Sequence, residues 1–323
     1  MKLFITGSTG VLGSRTVKLL LKQQHEIYAL IRSKDKAKIL KEKGIHPIIG
    51  NLYDKEFMLK STKGMDGFLN LASSAPKKFN TKAKDWSDYN KLHVDAIKIL
   101  VYVIATNKIP FFIQHSSLLS YGDHADKWVN EMVKFTRPIK NTNNLTQDYL
   151  DILESTIRCE YILNHIYDNN FPRIILRFGM IYSSDSVLTQ EFIEQLEKNV
   201  FPTINKGESY LNLIHANDAA SAVVKCVMNY KNLIGQTFNI TDDKPVTSKE
   251  LTHYLAKKLL AKEPKDVTPI LGNRLVGKFE ANILLSSFRN NNDKFKQITD
   301  WNPKYKSYKE GFDEVLDDLK ANN

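Results

Sequence analysis

Short continuous apolar runs alternate with apolar residues at helical spacing through the first half of the chain. Five runs are rich in β-branched and aromatic residues, which predicts strands at "KLFIT", "EIYALI", "HPIIG", "GFLNLA" and "FFIQHSS". Helical spacing follows through "VKLLLKQQ", from Lys34 to Lys43 and from Trp86 to Asn107. Because the runs are continuous rather than alternating, we expect parallel strands covered on both faces. The pattern therefore predicts a doubly wound α/β domain.

The alternation continues with a helix from Gln147 to Asp168 and the strand "RIILRF", and then becomes irregular. From Ser183 onward, short helices, strands and loops mix without an internal repeat. We predict a main domain over residues 1–182 and a smaller C-terminal α/β lobe over residues 183–323. Elements of this lobe are expected to interleave with late strands of the main sheet.

The composition is ordinary for a globular protein: 42% of the 323 residues are hydrophobic and 25% are charged. No stretch approaches the roughly 20 apolar residues of a membrane span. The start, "MKLFITG", runs into a strand pattern without a signal-peptide pattern. Cys159 and Cys226 have no metal-site spacing, and each lies in an apolar helical pattern. We expect a cytoplasmic protein with no metal and no membrane association.

The net charge of +10 and the isoelectric point near 9.2 raise the question of a nucleic-acid partner. Lysines are scattered with acids interleaved, as in "SKDKAKILKEK", and no arginine-rich cluster is present in the sequence. A solvated lysine-rich surface explains the charge, so no nucleic-acid partner is expected. The charge does favour attraction of anionic small molecules, including phosphates.

The segment "TGSTGVLG", from Thr6 to Gly13, follows a predicted strand and opens a predicted helix. In that context Gly7 permits a tight turn, Gly10 lets the backbone approach a pyrophosphate, and Gly13 lets the helix pack closely. The helix N-terminus presents free N–H groups to the phosphates. We therefore predict a Rossmann-type dinucleotide site. The intervening residues are expected to line it as well: Ser8, Thr9, Val11 and Leu12.

The end of the second predicted strand, "ALIRSKDK", bears on the choice of cofactor. An acidic residue there would bond the ribose 2′-OH of NAD, whereas an arginine suits the 2′-phosphate of NADP. Here Ile31 occupies the place of the acid, and Arg32, Ser33 and Lys34 follow. A planar guanidinium can hold a phosphate through two hydrogen bonds. The sequence favours NADP over NAD.

Seven motifs in order make the chain resemble an extended short-chain dehydrogenase/reductase, of the NAD-dependent epimerase/dehydratase branch. "TGSTGVLG" resembles the TGxxGxxG turn, "GNLYD" the GDLxD segment and "LNLASS" the HLAA segment. "HSSLLSYG" is similar to SSxxxYG, and "LRFGMIYS" is similar to LRPxxVYG. "LIHANDAASAVV" resembles FIHVDDVAxAxx, and "TDWNPKYKSYKEGF" resembles LGWxPxxxxxEGL. The resemblance runs nearly end to end.

The resemblance implies roles for particular residues. Ser117 matches the family's active-site serine, which polarises the substrate oxygen, and Tyr121 borders the substrate pocket. The C-terminal lobe would bind the substrate, and the helices Trp86–Asn107 and Gln147–Asp168 would pair two protomers in a homodimer. Further cofactor contacts are implied near the adenine, the nicotinamide ribose and the strand "RIILRF": Asn51, Leu52, Leu71, Ala72, Ser73, Phe178 and Met180.

The chain departs from the family at its proton-donating dyad. In the family a YxxxK dyad often continues as YxxSKxxxE, and "ILESTIRCE" fits that frame through Ser155 and Glu160. This alignment places Ile152 at the tyrosine and Thr156 at the lysine. Neither side chain can transfer a proton in the usual way. Losing a placed general acid costs on the order of 10² to 10⁴ in rate.

Three residues could replace the dyad: Tyr121, Tyr149 and His93, which stands where the family has an asparagine. Packing roles are the simpler expectation for Tyr149 and His93, while Tyr121 is the better candidate by motif position. The leading hypothesis is an NADP-dependent oxidoreductase or epimerase-like enzyme with an unusual proton donor. Its substrate would be a small polar or nucleotide-linked molecule. The alternatives are an NAD(P)-binding sensor or assembly protein without turnover, and a protein that binds a nucleotide-sugar alone.

Overall fold

The computed structural model describes residues 1–133, 147–165 and 171–321 and contains a central parallel sheet. Six strands of this sheet lie in the first 180 residues: β1 (Lys2–Thr6), β2 (Glu26–Ile31), β3 (His46–Ile49), β4 (Gly67–Asn70), β5 (Phe112–Ser117) and β6 (Arg173–Phe178). Short strands follow: β7 (Met180–Tyr182), β8 (Thr203–Ile204), β9 (Tyr210–Leu211), β10 (Leu213–His215), β11 (Thr237–Ile240), β12 (Val246–Thr247) and β13 (Asp266–Val267).

Helices connect and cover these strands. In the main part of the fold they are α1 (Val11–Lys22), α2 (Lys34–Glu42), α3 (Lys55–Ser61), α4 (Ser87–Lys91), α5 (Ile97–Thr106) and α6 (Gln147–His165). Later helices are α7 (Val187–Glu197), α8 (Ala216–Leu233), α9 (Ser248–Lys258), α10 (Pro269–Leu275), α11 (Lys278–Leu285), α12 (Asp293–Thr299) and α13 (Tyr308–Ala321). Within the described ranges, no helix combines the length and apolar composition that a membrane span requires.

The seven-stranded sheet has the order β11-β6-β5-β4-β1-β2-β3, and all its neighbouring strands are parallel. Successive side chains of β1 enter opposite cores. Leu3 and Ile5 pack against α1 and α8, while Phe4 packs against α3 and α5. Burial on both faces explains why the strands are continuous apolar runs. The predicted doubly wound Rossmann-type sheet is confirmed.

The predicted long helix from Trp86 to Asn107 is broken into pieces. A 3₁₀ turn at Ala83–Trp86 leads into α4, and a π-helical turn at Leu92–Ala96 separates α4 from α5. The start of α6 agrees with the predicted Gln147, whereas its predicted end at Asp168 falls outside the described residues.

A separate apolar cluster underlies the C-terminal part, where α7, α9, α11 and α13 pack around short strands. The strand β11 and the helices α8 and α12 instead join the main sheet and its core. The division between residues 182 and 183 remains a prediction.

Candidate dinucleotide-binding cleft

The strand order of the sheet reverses between β1 and β4, and ligands of open α/β sheets bind at such a switch point, beyond the carboxyl ends of the strands. A cleft of about 1230 Å³ opens at this edge. It is lined by the whole segment from Thr6 to Gly13, by loops after β2, β3 and β4, and by residues of α6 and the C-terminal part.

Two glycines of the first turn are required by close backbone contacts. Gly7 has φ of +74°, and a Cβ there would lie 2.6 Å from the backbone of Leu71 and Ala72. A Cβ at Gly13 would lie 2.0 Å from the carbonyl oxygen of Gly7. Any side chain would therefore separate α1 from β1 or β1 from the loop after β4. Gly10 meets only the Gly7 oxygen, at 3.4 Å.

The first turn of α1 is suited to an anion. Its N-cap, Gly10, provides no side-chain cap, and its first turn carries no acidic residue. The buried Ser8 hydroxyl lies in the same loop and has no hydrogen-bond partner among the described residues. Free helix N–H groups and an available hydroxyl are the donors that a pyrophosphate needs. These residues fit the phosphates of a dinucleotide.

A chain of buried polar side chains links the ends of three neighbouring strands below the cleft. The Thr6 hydroxyl donates to Asn70 Oδ1 at 2.5 Å, and Asn70 Nδ2 donates to Gln114 Oε1 at 2.8 Å. The Ala72 backbone N–H also donates to Thr6 Oγ1 at 3.3 Å. These bonds fix the loop after β4 relative to the glycine turn, because the side chains of Thr6, Asn70 and Gln114 are buried and cannot exchange freely with water.

Positive charge collects where the loop after β2 meets the cleft. Arg32, Ser33 and Lys36 line it, and both cations are exposed. Ser33 Oγ accepts from the Lys36 backbone N–H at 3.4 Å and so caps α2. The cap places Lys36 one helical turn from Arg32. The sequence analysis named Lys34 here and missed Lys36. Lys36 lies three residues after Ser33, which is the spacing of a helix N-cap and could have indicated its position.

The other residues expected to contact the cofactor divide into those that line the cleft and one that does not. Asn51, Leu52, Leu71, Ala72, Ser73 and Phe178 line the cleft. Met180 is absent from the lining; it is 43% exposed and pairs with Leu213 between β7 and β10. Gly179 and Ile181 line the cleft instead. Met180 is therefore not retained as a cofactor contact, because it points to the surface from the short strand β7.

Ser117 and Tyr121 are separated by the 3₁₀ turn at Leu118–Tyr121. Ser117 lines the cleft, and its Oγ accepts from the Leu119 N–H at 3.2 Å. Tyr121 does not line the cleft; it is 2% exposed and its hydroxyl donates to Asn239 Oδ1 at 2.9 Å. Burial also raises the pKa of Tyr121 well above its ordinary value. The expectation that Tyr121 borders the substrate is therefore not supported by its position.

The two dyad positions are occupied by a hydrocarbon and a bonded hydroxyl. Ile152 is 2% exposed and lines the cleft. Thr156 Oγ1 lies 3.0 Å from the Tyr89 hydroxyl and 3.3 Å from the Ile152 carbonyl oxygen. One turn further along α6, Glu160 forms a buried ion pair with Arg177, at 2.7 Å between Oε2 and Nη2. The frame of the motif thus keeps its structural glutamate.

The remaining candidate donors are held in packing roles. His93 Nδ1 lies 2.9 Å from the Tyr89 carbonyl oxygen, and burial lowers the pKa of His93 to about 4. The Tyr149 hydroxyl donates to Ser286 Oγ at 3.4 Å, and burial raises the pKa of Tyr149 far above neutrality. Each is therefore neutral at physiological pH. None of these residues titrates where a general acid would be most effective.

Sequence reasoning also missed an aromatic wall of the cleft. Trp86, the last residue of the 3₁₀ turn before α4, and Phe279, in α11, both line it, with ring centroids 4.0 Å apart. The two residues come from opposite halves of the chain, so no local pattern could have paired them. No cluster of His, Cys, Asp and Glu within the described part could hold a metal ion.

Together, the parallel sheet, the glycine turn and the anion-binding helix end define a dinucleotide-binding protein of the Rossmann type. The model of the NAD dependent epimerase/dehydratase family matches residues 3–241. The chain belongs to this family.

Known proteins are similar to this chain in sequence or in fold, at low sequence identity. The "Sterol-4-alpha-carboxylate 3-dehydrogenase, decarboxylating" of Dictyostelium discoideum is 21% identical over 256 residues, 75% of this chain and 72% of that protein. A structure of human epimerase family protein SDR39U1 with NADPH has a TM-score of 0.78 at 13% identity, and covers 99% of this chain and 100% of that one. A dTDP-glucose 4,6-dehydratase from Bacillus anthracis, in complex with NAD, has a TM-score of 0.74 at 17% identity, with 100% and 97% covered.

Proposed function

We propose that the protein binds NADPH in this cleft and acts as an oxidoreductase or epimerase-like enzyme on a small molecule. The observation that carries the proposal is the meeting of three features in one cleft. The glycine turn suits a pyrophosphate, Arg32 and Lys36 suit a 2′-phosphate, and Ser117 suits a reacting oxygen. The exposed cations Arg32 and Lys36 favour NADPH over NADH, because β2 ends in the apolar Ile31 and not in a carboxylate that would bond a ribose hydroxyl.

Ser117 is the residue with which this chain would hold a substrate oxygen. Its Oγ already accepts a hydrogen bond from Leu119, so its own proton is available to donate into the cleft. A bound nicotinamide would supply or accept the hydride. Ile152 would cover the reacting atoms and exclude water. The Thr156 and Tyr89 hydroxyls beside it are hydrogen-bonded to each other.

The same residues support a second function, a non-catalytic NAD(P)-binding sensor or assembly protein. Ile152 fills the position of the family's proton donor, and such a protein would need the glycine turn and Arg32 alone. Ser117→Ala separates the two functions, since it should lower turnover in an enzyme and leave cofactor affinity unchanged in both. A homodimer through α5 and α6 and a cytoplasmic location remain proposals.

The first experiment is a fluorescence titration of the purified protein with NADPH and with NADH. Arg32→Ala and Lys36→Ala should each weaken NADPH binding and leave NADH binding nearly unchanged. Lys38→Ala is the matched control, because Lys38 is exposed on the same helix and does not line the cleft. The NADPH assignment would be contradicted if Arg32→Ala weakened the binding of NADPH and NADH equally, or if the wild type bound NADH more tightly than NADPH. Binding of neither cofactor would refute the whole proposal.

A further inference from the structure

The two ends of the cleft differ in chemistry. The adenosine end, around the loops after β2 and β3, is lined by charged residues: Arg32, Lys36, Asp88, Lys91 and Asp95. The end beyond Ser117 is lined by apolar and aromatic residues: Trp86, Leu119, Ile152, Leu188 and Phe279. The charged set suits a nucleotide. The apolar set suits a ligand that has few charged or polar groups.

The apolar end is a built surface with several layers. Trp86 and Phe279 are each 7% exposed, and Ile152 is 2% exposed. Tyr149 packs behind Phe279, with ring centroids 5.6 Å apart, and Leu119 packs against the same cluster. A wall supported in this way keeps its shape, because its rings cannot turn without displacing buried neighbours.

The indole nitrogen of Trp86 already has a hydrogen-bond partner inside the protein. Trp86 Nε1 donates to Thr81 Oγ1 at 3.1 Å, and Thr81 Oγ1 donates in turn to Glu280 Oε1 at 3.1 Å. Trp86 therefore offers carbon surface to the cleft. Ile152 does the same at the position where the family has a tyrosine hydroxyl. A sugar or a nucleotide placed here would lose water from its hydroxyls and phosphates without gaining partners from these side chains.

The volume leaves room for a second ligand. At about 1230 Å³ the cleft is larger than an ordinary small-molecule pocket, which measures about 300–1,000 Å³. Aromatic rings at this distance favour a flat partner, because stacked or edge-to-face contacts add to simple burial. The five apolar side chains of this end offer no free hydrogen-bond partner to a polar or nucleotide-linked substrate.

We propose that the apolar end takes an uncharged, flat aromatic or fused-ring molecule whose oxygen accepts a hydrogen bond from Ser117. The inference rests on the proposed function, since it treats this ligand as the substrate beside NADPH. Trp86 and Phe279 provide the face against which the rings pack. Ile152 provides the floor under the reacting group.

The test is a calorimetric titration with two probes, methyl naphthyl ketone and UDP-glucose, each with and without NADPH. We expect the ketone to bind, UDP-glucose to bind far more weakly, and Phe279→Ala to weaken the ketone by about tenfold or more. NADPH affinity should be unchanged in Phe279→Ala. Failure of NADPH to bind would refute the proposed function alone, because the ketone is also titrated without it.

A second variant avoids the buried wall. Leu188 is 38% exposed and lines the cleft, whereas its neighbour Val187 is 50% exposed and does not. Leu188→Asp should weaken the ketone and Val187→Asp should not, and both should fold normally. The inference is overturned if UDP-glucose binds as tightly as the ketone, if the ketone does not bind, or if neither Phe279→Ala nor Leu188→Asp weakens it.

Discussion

Replacement of Glu160 by glutamine should strongly destabilise the fold, because this carboxylate is fully buried and holds two partners. Its Oε1 accepts from the Ser116 hydroxyl at 2.5 Å, and its two oxygens accept from Arg177 Nε and Nη2. The glutamine keeps the size of the side chain but leaves the Arg177 guanidinium buried without a counter-ion. Removing one partner of a buried ion pair costs about 3–5 kcal/mol.

The same helix provides a matched control. Glu154 and Arg158 form an i,i+4 ion pair whose side chains are 57% and 61% exposed. Such a pair contributes about 0.3–0.5 kcal/mol, because water screens it. We therefore expect Glu154→Gln to leave the stability nearly unchanged.

Urea unfolding of the wild type and both variants, followed by circular dichroism, measures the difference directly. The midpoint for Glu160→Gln should fall by several times more than that for Glu154→Gln, at a similar slope. A loss of less than about 1 kcal/mol for Glu160→Gln would refute the reasoning, since it would mean that the Arg177 charge finds compensation elsewhere. A changed dependence of the free energy of unfolding on urea concentration would show instead that the variant and the wild type do not unfold between the same two states.

Two further predictions concern buried groups outside the cleft. Tyr121→Phe should cost about 1–3 kcal/mol in urea unfolding, because Asn239 Oδ1 loses its donor. NADPH affinity should stay unchanged in this variant, and a marked loss of affinity would indicate that Tyr121 contributes to the binding site after all. Burial, reinforced by the charge of Asp243, raises the pKa of Asp242 from 3.8 to about 8. The folded state thus favours the protonated carboxyl, so this contribution to stability is complete below pH 3.8 and is lost as the pH rises to about 8. Asp242→Asn should remove that part of the slope in unfolding experiments across this range, and an unchanged slope would contradict the assignment.

The sheet, the glycine turn and the cation that follows the second strand could all be predicted from the amino-acid sequence alone. These features depend on local rules. A strand buried on both faces must be a continuous apolar run, and Gly7 and Gly13 are needed wherever a helix begins that close to a strand. The order of seven motifs then identified the family, because motif spacing is also read along the chain.

Which side chains reach the cleft depends on tertiary packing and could not be predicted from the sequence. Tyr121 follows Ser117 by four positions, but the 3₁₀ turn between them directs its hydroxyl to Asn239 on the far edge strand. Met180 leaves the site because β7 pairs with β10 and turns it outward. Trp86 and Phe279 enter it because the C-terminal part folds back onto α4. Contacts between distant segments are set by packing, and the spacing of residues along the chain carries no direct record of them.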